Sequence, residues 1–250
     1  MSGNRKVPTD RVLQKLDEYL SKNDYAAAKR HLLYWLSEAE NAGDGRAVLL
    51  VNNELMGLCR KLGEKNEALC FAQSALNQIV KMNIEYNIGA TTTYLNSATV
   101  YKAFGMADSA IPLFEKAQRI YEQNLLTSDD RLGGLYNNMA LALVDLKRFE
   151  EADSLYKKAI SVMQNKEPEQ AITYLNMASA AEAQFGLEGA EQKITDCIQK
   201  SIELLDKCKD YTDGNYAFVC EKCATVFGYY GYFAYENELK ERCRRIYEGA

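Results

Sequence analysis

Few residue types in this sequence could do chemistry. It has one histidine, His31, and no glycine-rich phosphate loop, nucleophile elbow or acid pair in a spacing that builds a catalytic constellation. His31 occupies a helical position that Phe71 and Leu113 hold further along, which predicts a packed or partly exposed side chain rather than a base. Cys220-Glu221-Lys222-Cys223 is the one spacing that fits a metal or redox motif, with Cys208 and Cys243 as further thiols. A third set is amidic: Asn53, Asn96, Asn137, Asn138 and Asn176. Asn has no helix-propensity advantage, so its recurrence inside helical stretches needs another reason. An amide carries both a donor and an acceptor, and a ladder of such groups can pair with the backbone of an extended peptide whatever its side chains.

The elements that position these groups come from self-comparison. At a step of 42 residues Tyr94 meets Tyr136, Asn96 meets Asn138, Ala98 meets Ala140, Ala110 meets Ala152, and Ala117 meets Ala159. The same step generates a column of small residues, Ala75, Ala117, Ala159, Ser201 and Cys243, and a column of large ones, Ile79, Tyr121, Met163, Leu205 and Tyr247. A degenerate copy, Asn23 to Ala28, precedes them. Apolar residues recur at three- and four-residue steps on either side of a short polar or Gly break, so each copy reads as two amphipathic helices and a tight turn. The turns fall at 21–24, 63–66, 105–108, 147–150, 186–189 and 231–234; near the fifth, about one helical turn is inserted. Pro168 suits a first helical turn, and Pro112 predicts a bent or late-starting helix. In the last helix Leu239, Cys243, Ile246 and Tyr247 form the inner stripe, and charged residues, Arg242 among them, cover the rest.

The fold class expected is all-α: a right-handed superhelical solenoid of about six antiparallel hairpins over 9–250, one domain preceded by a tail, 1–8. In that register Cys220, Cys223 and Cys243 fall on core columns, where a free thiol behaves as a small hydrophobe. No metal and no cofactor are therefore expected.

Leu135-Tyr136-Asn137-Asn138-Met139-Ala140 and Ala110-Ile111-Pro112-Leu113-Phe114-Glu115-Lys116-Ala117 resemble the tetratricopeptide repeat, in the 42-residue variant found in kinesin light chains and their bacterial relatives. The resemblance covers roughly 9–248. It implies a concave groove in which first-helix asparagines hold a peptide, and a protein that performs no chemistry. Helical phase adds Gly57, Arg60 and Lys61; Leu95, Thr99 and Lys102; Leu141, Val144 and Asp145; Leu175, Ser179 and Glu182; and Glu221, Thr225, Gly228 and Tyr229 to the inward strip. Asn53 and Asn137 should point into the groove, whereas Asn96, Asn138 and Asn176 could instead bridge neighbouring helices. Arg60, Lys61 and Lys102 precede Asp145, Glu182 and Glu221, which gives the strip a charge gradient.

The reading is a scaffold for an extended peptide or partner segment. A peptide-sensing receptor acting through a partner protein is the alternative, since residues 1–8 leave no room for a DNA-binding helix-turn-helix. A cysteine-based metal or redox protein is a third. Thirty basic against 35 acidic residues, net charge -5, argue against nucleic acid. No stretch reads as a signal peptide or membrane span, so a cytoplasmic protein with reduced thiols is expected. Tyr229, Tyr230, Tyr232, Phe233 and Tyr235 exceed what a core needs and could form a sticky patch for a partner or a weak homodimer.

Overall fold

The computed structural model describes residues 6–248, which pack as two compact units, the first ending at Asn124 and the second beginning at Leu125. Unit one contains α1 (Thr9–Leu20), α2 (Tyr25–Ala42), α3 (Gly45–Lys61), α4 (Lys65–Lys81), α5 (Ile88–Ala103) and α6 (Ala107–Asn124). Unit two contains α7 (Asp130–Asp145), α8 (Phe149–Val162), α9 (Glu167–Lys207), α10 (Gly214–Tyr229) and α11 (Phe233–Glu248). With α9 bent into two arms, each unit is a stack of three helical hairpins, and the fold class is an all-α solenoid. No helix among the described residues is long and apolar enough to cross a membrane.

Local chemistry sets the boundaries. Asp24, Asp44, Asn87, Asp129 and Asp213 stand at N-caps, and each side chain accepts a hydrogen bond from an amide of the first turn. Every hairpin turn contains one residue with positive φ: Asn23, Gly63, Gly105, Lys147, Gly186 and Gly231. The left-handed conformation reverses the chain while the first helix still satisfies its last carbonyls. Gly186 (φ 73°, ψ 170°) makes the fifth break alone, with helical residues directly on both sides, where a four-residue turn was expected. That φ/ψ combination is essentially open only to glycine.

The small-residue column lies at the helix crossings: Ala75, Ala117, Ala159 and Ser201 are all fully buried. Beside them Ile79, Tyr121, Met163 and Leu205 fill the core. First helices pack side by side, α3 on α5 in unit one and α9 on both α7 and α10 in unit two. Pro168 sits in the first turn of α9 as expected, but α6 is not late-starting: it runs from Ala107 straight through Pro112.

The last helix differs from expectation. Tyr247 is 62% exposed, because among the described residues no further helix follows to cover it. Arg242, expected on the solvated face, is only 4% exposed. Its guanidinium donates to the Leu205 carbonyl (3.1 Å), the Tyr216 hydroxyl (3.0 Å), Asp206 Oδ1 (2.7 Å) and Glu238. Burial works to lower its pKa, yet the bonds to Asp206, Glu238 and Tyr216 outweigh this, so the charge is retained. Residues 1–5 of the expected tail lie outside the described residues. Val7, within that tail, is buried, and its amide donates to Asp44 Oδ2 at 3.1 Å.

Candidate functional site

In unit one the amides form a connected pair. Asn53 on α3 donates through Nδ2 to the Leu49 carbonyl (2.8 Å) and to Thr93 Oγ1 (2.9 Å), and its Oδ1 accepts from Asn96 Nδ2 of α5 at 3.1 Å. Asn53 and Asn96 are both half-buried, so both stand at the edge of the first-helix face. Asn96 thus bridges to the neighbouring first helix, and its partner there is Asn53, which was expected to point into the groove. Thr99 Oγ1 donates back to the Leu95 carbonyl of its own helix at 2.8 Å. Beyond the pair, toward the C-terminal ends of α3 and α5, come exposed Arg60, half-buried Lys102 and exposed Lys61, whose ammonium lies 4.7 Å from the centre of the Tyr25 ring.

Unit two repeats the pair with the same geometry: Asn176 Nδ2 on α9 donates to Asn137 Oδ1 on α7 at 3.1 Å. Asn138, expected to be equivalent to Asn176, instead donates to the Gly134 carbonyl of its own helix at 2.9 Å. Asn137 also lines a cleft of about 220 Å³ with Gly134, Met163, Glu169 and Ile172. Leu141 is half-buried, and Asp145 and Ser179 are exposed. Two positions on the expected strip belong elsewhere. Leu175 is 2% exposed, inside the core of unit two. A Cβ on Gly228 would meet the Glu236 carboxylate at 2.3 Å, so this glycine serves the α10–α11 crossing.

Further along the same face Glu182 is held by two phenols. Tyr229 donates to its Oε1 at 2.6 Å and Tyr230 to its Oε2 at 2.7 Å. The bond to Glu182 raises the Tyr229 pKa, and burial, joined by the same carboxylate, raises that of Tyr230; both phenols therefore stay protonated donors. Ser179, Glu182, Ala183, Leu187, Val226 and Tyr229 surround an open cleft of about 750 Å³. Tyr230 and Leu187 were not legible as site residues. A signal was present in the apolar Phe185 and Leu187 flanking Gly186, both 54% exposed.

The groups considered for other chemistry are tied up. His31 Nε2 lies 3.0 Å from the Val12 carbonyl, with Tyr19 and Trp35 packed edge-on against the ring. Burial pushes the Cys220 thiol up to about 11 and raises Cys197, Cys208 and Cys243, the opposite of an activated thiolate. Among the described residues the one group of three ligand-type side chains that converges is Cys59, Glu64 and Glu67. Lys29 already fills it, donating to Glu64 at 2.8 Å and to Glu67, and burial pushes the Cys59 thiol up to about 12.

Residues 89–165 match the tetratricopeptide repeat family. Among solved structures, BtubC (BKLC) from P. vanneervenii is 17% identical over 82% of this chain and 83% of its own, with a TM-score of 0.69. The kinesin-light-chain TPR-like repeats of Podosopora anserina are 17% identical over 79% of this chain and 94% of their own, TM-score 0.55. MamA is 16% identical over 78% of this chain and 97% of its own, TM-score 0.53. No curated protein matches the sequence.

Proposed function

We propose that the chain, whose residues 89–165 match the tetratricopeptide repeat family, is a non-catalytic scaffold holding an extended peptide, or an extended segment of a partner protein, on its first helices. The observation that carries this reading is the recurrence of one amide pair, Asn53 with Asn96 and Asn137 with Asn176, at 3.1 Å in both units. A structural bridge alone needs one bond. The pair in unit two retains more: Asn176 has a second N–H and its own carbonyl, and Asn137 lines a cleft. Groups of this kind can pair with a peptide backbone without reading its side chains, while the clefts of unit two take side chains. The partner is a protein or peptide rather than nucleic acid, because the net charge of -5 opposes phosphate. Action in the cytoplasm, where the seven thiols stay reduced, completes the proposal.

Selection of a random library of twelve-residue peptides on the purified chain tests it. Binders are expected, and Asn137→Ala should weaken most of them by about 1 kcal/mol per bond lost while the melting curve stays close to wild type. A selection that yields no binder, or binders indifferent to Asn53→Ala and Asn137→Ala alike, would overturn the proposal.

A further inference from the structure

Glu182 presents a half-buried carboxylate with no cationic partner among the described residues. Tyr229 and Tyr230 each occupy one of its oxygens and fix its plane, yet each oxygen keeps a further lone pair. A second acid stands on α10. Glu221 is exposed two turns before Tyr229 on α10, on the side that also carries Thr225, and the lysine next to it, Lys222, is turned aside over the Phe218 ring at 5.5 Å. The cleft opening beside the carboxylate is walled by Ala183, Leu187 and Val226 and floored in part by the Tyr229 ring, 67% exposed. An anion held in a fixed plane beside an aromatic face and an aliphatic wall is suited to a flat, weakly hydrated cation followed by an apolar side chain.

We infer that this cleft of unit two takes the guanidinium of an arginine in the bound segment, with an adjacent apolar residue seated on Leu187 and Val226. Glu182 lines the cleft, and each of its oxygens keeps a lone pair beyond its phenol bond; a guanidinium can offer the two parallel N–H donors that such a pair of acceptors matches, which an ammonium cannot. The Tyr229 ring adds a face on which the guanidinium stacks. The inference rests on the proposed role of the first-helix face in peptide binding and adds the identity of one anchor residue.

The test uses the full chain and the peptides selected on it. Enrichment of arginine next to a large apolar residue is expected. In a synthetic copy of the strongest binder, Arg→Gln should lower affinity about tenfold, in the range of a charge-assisted hydrogen bond, and Arg→Lys should lower it less. Against the Glu182→Gln chain, which still offers an acceptor to one phenol, the Arg→Gln peptide and its parent should bind alike. Should Glu182→Gln melt early, Tyr229→Phe removes one hydroxyl from the same carboxylate and should cut the preference for arginine without abolishing it. Binders that carry no cation, or an Arg→Gln loss of equal size in wild type and Glu182→Gln, overturn the inference; if those same binders still respond to Asn137→Ala, the scaffold reading stands without it. A library that yields no binder overturns both.

Discussion

The two units make the same amide bond from different sequence spacings, and they spend the remaining valences differently. Asn53 and Asn96 are 43 residues apart, Asn137 and Asn176 only 39, yet both pairs close at 3.1 Å. In unit one, Leu49 and Thr93 also engage Asn53, so that amide is built into the wall. In unit two, Asn137 accepts from Asn176, has no further side-chain bond among the described residues, and faces a cleft. The first helices diverge in charge as well, Arg60, Lys61 and Lys102 in one unit, Asp145, Glu182 and Glu221 in the other. A repeat can therefore keep its framework while separate positions are tuned for stability or for ligand.

The largest contrast concerns the two cations held by paired acids. Removing the guanidinium by Arg242→Ala should destabilise unit two by about 3 to 5 kcal/mol, because Tyr216 and the Leu205 carbonyl lose a buried donor. Lys29, whose partners Glu64 and Glu67 are 37% and 51% exposed, should cost about 1 kcal/mol or less when changed to Met. Denaturant melts followed by circular dichroism would measure both, and equal losses would erase the contrast. Next in size, Ala117→Leu in unit one and Ala159→Leu in unit two should each cost about 1 to 3 kcal/mol by overpacking a fully buried crossing. A variant of either kind that melts like wild type would refute the shared register.

The amides sharpen the comparison further. Asn53→Ala deletes three bonds and should lower stability by about 2 kcal/mol, whereas Asn137→Ala deletes one and should lower it by about half as much or less. Peptide affinity should rank the two the other way, and calorimetry giving the reverse order would dissolve the distinction. The smallest effect is on pH dependence. The bond from Lys29 lowers the Glu64 pKa, so its contribution is present above the unfolded carboxylate value of about 4.3 and fades as pH falls through the lower folded value. Trp35, the sole tryptophan, reports on unit one; stability followed by its fluorescence should decline between about pH 5 and 3 slightly more steeply in wild type than in Glu64→Gln. Parallel profiles would remove Glu64 from the account.

Hairpins, core columns and several caps were legible because each is written in spacing: a 42-residue step, an apolar stripe, an Asp or Asn before five of the described helices. The partner of each Asn was not. Neighbouring first helices are staggered so that one position of a repeat meets the following position of the next, a shift of one residue that alignment of like with like conceals. Arg242 was hidden for a similar reason, since its neighbours in sequence are the charged residues of an exposed helix face, and its burial comes from Asp206 and Tyr216 on earlier helices. Glu182 and Tyr229 were both marked by helical phase, but Tyr230, which holds the other carboxylate oxygen from 48 residues later, lies off that strip and was not.

The short reach of these contacts bears on how the chain folds. The bond from Tyr230 to Glu182 spans 48 residues, little more than one repeat, and the helix pairs that pack are near neighbours in sequence. Little chain entropy is lost before a contact forms, which is the low-contact-order regime of fast folding, and any hairpin can serve as the nucleus on which its neighbours build. A chain emerging residue by residue during synthesis can thus bury each hairpin soon after the next one appears, with only short stretches of apolar surface exposed at any moment.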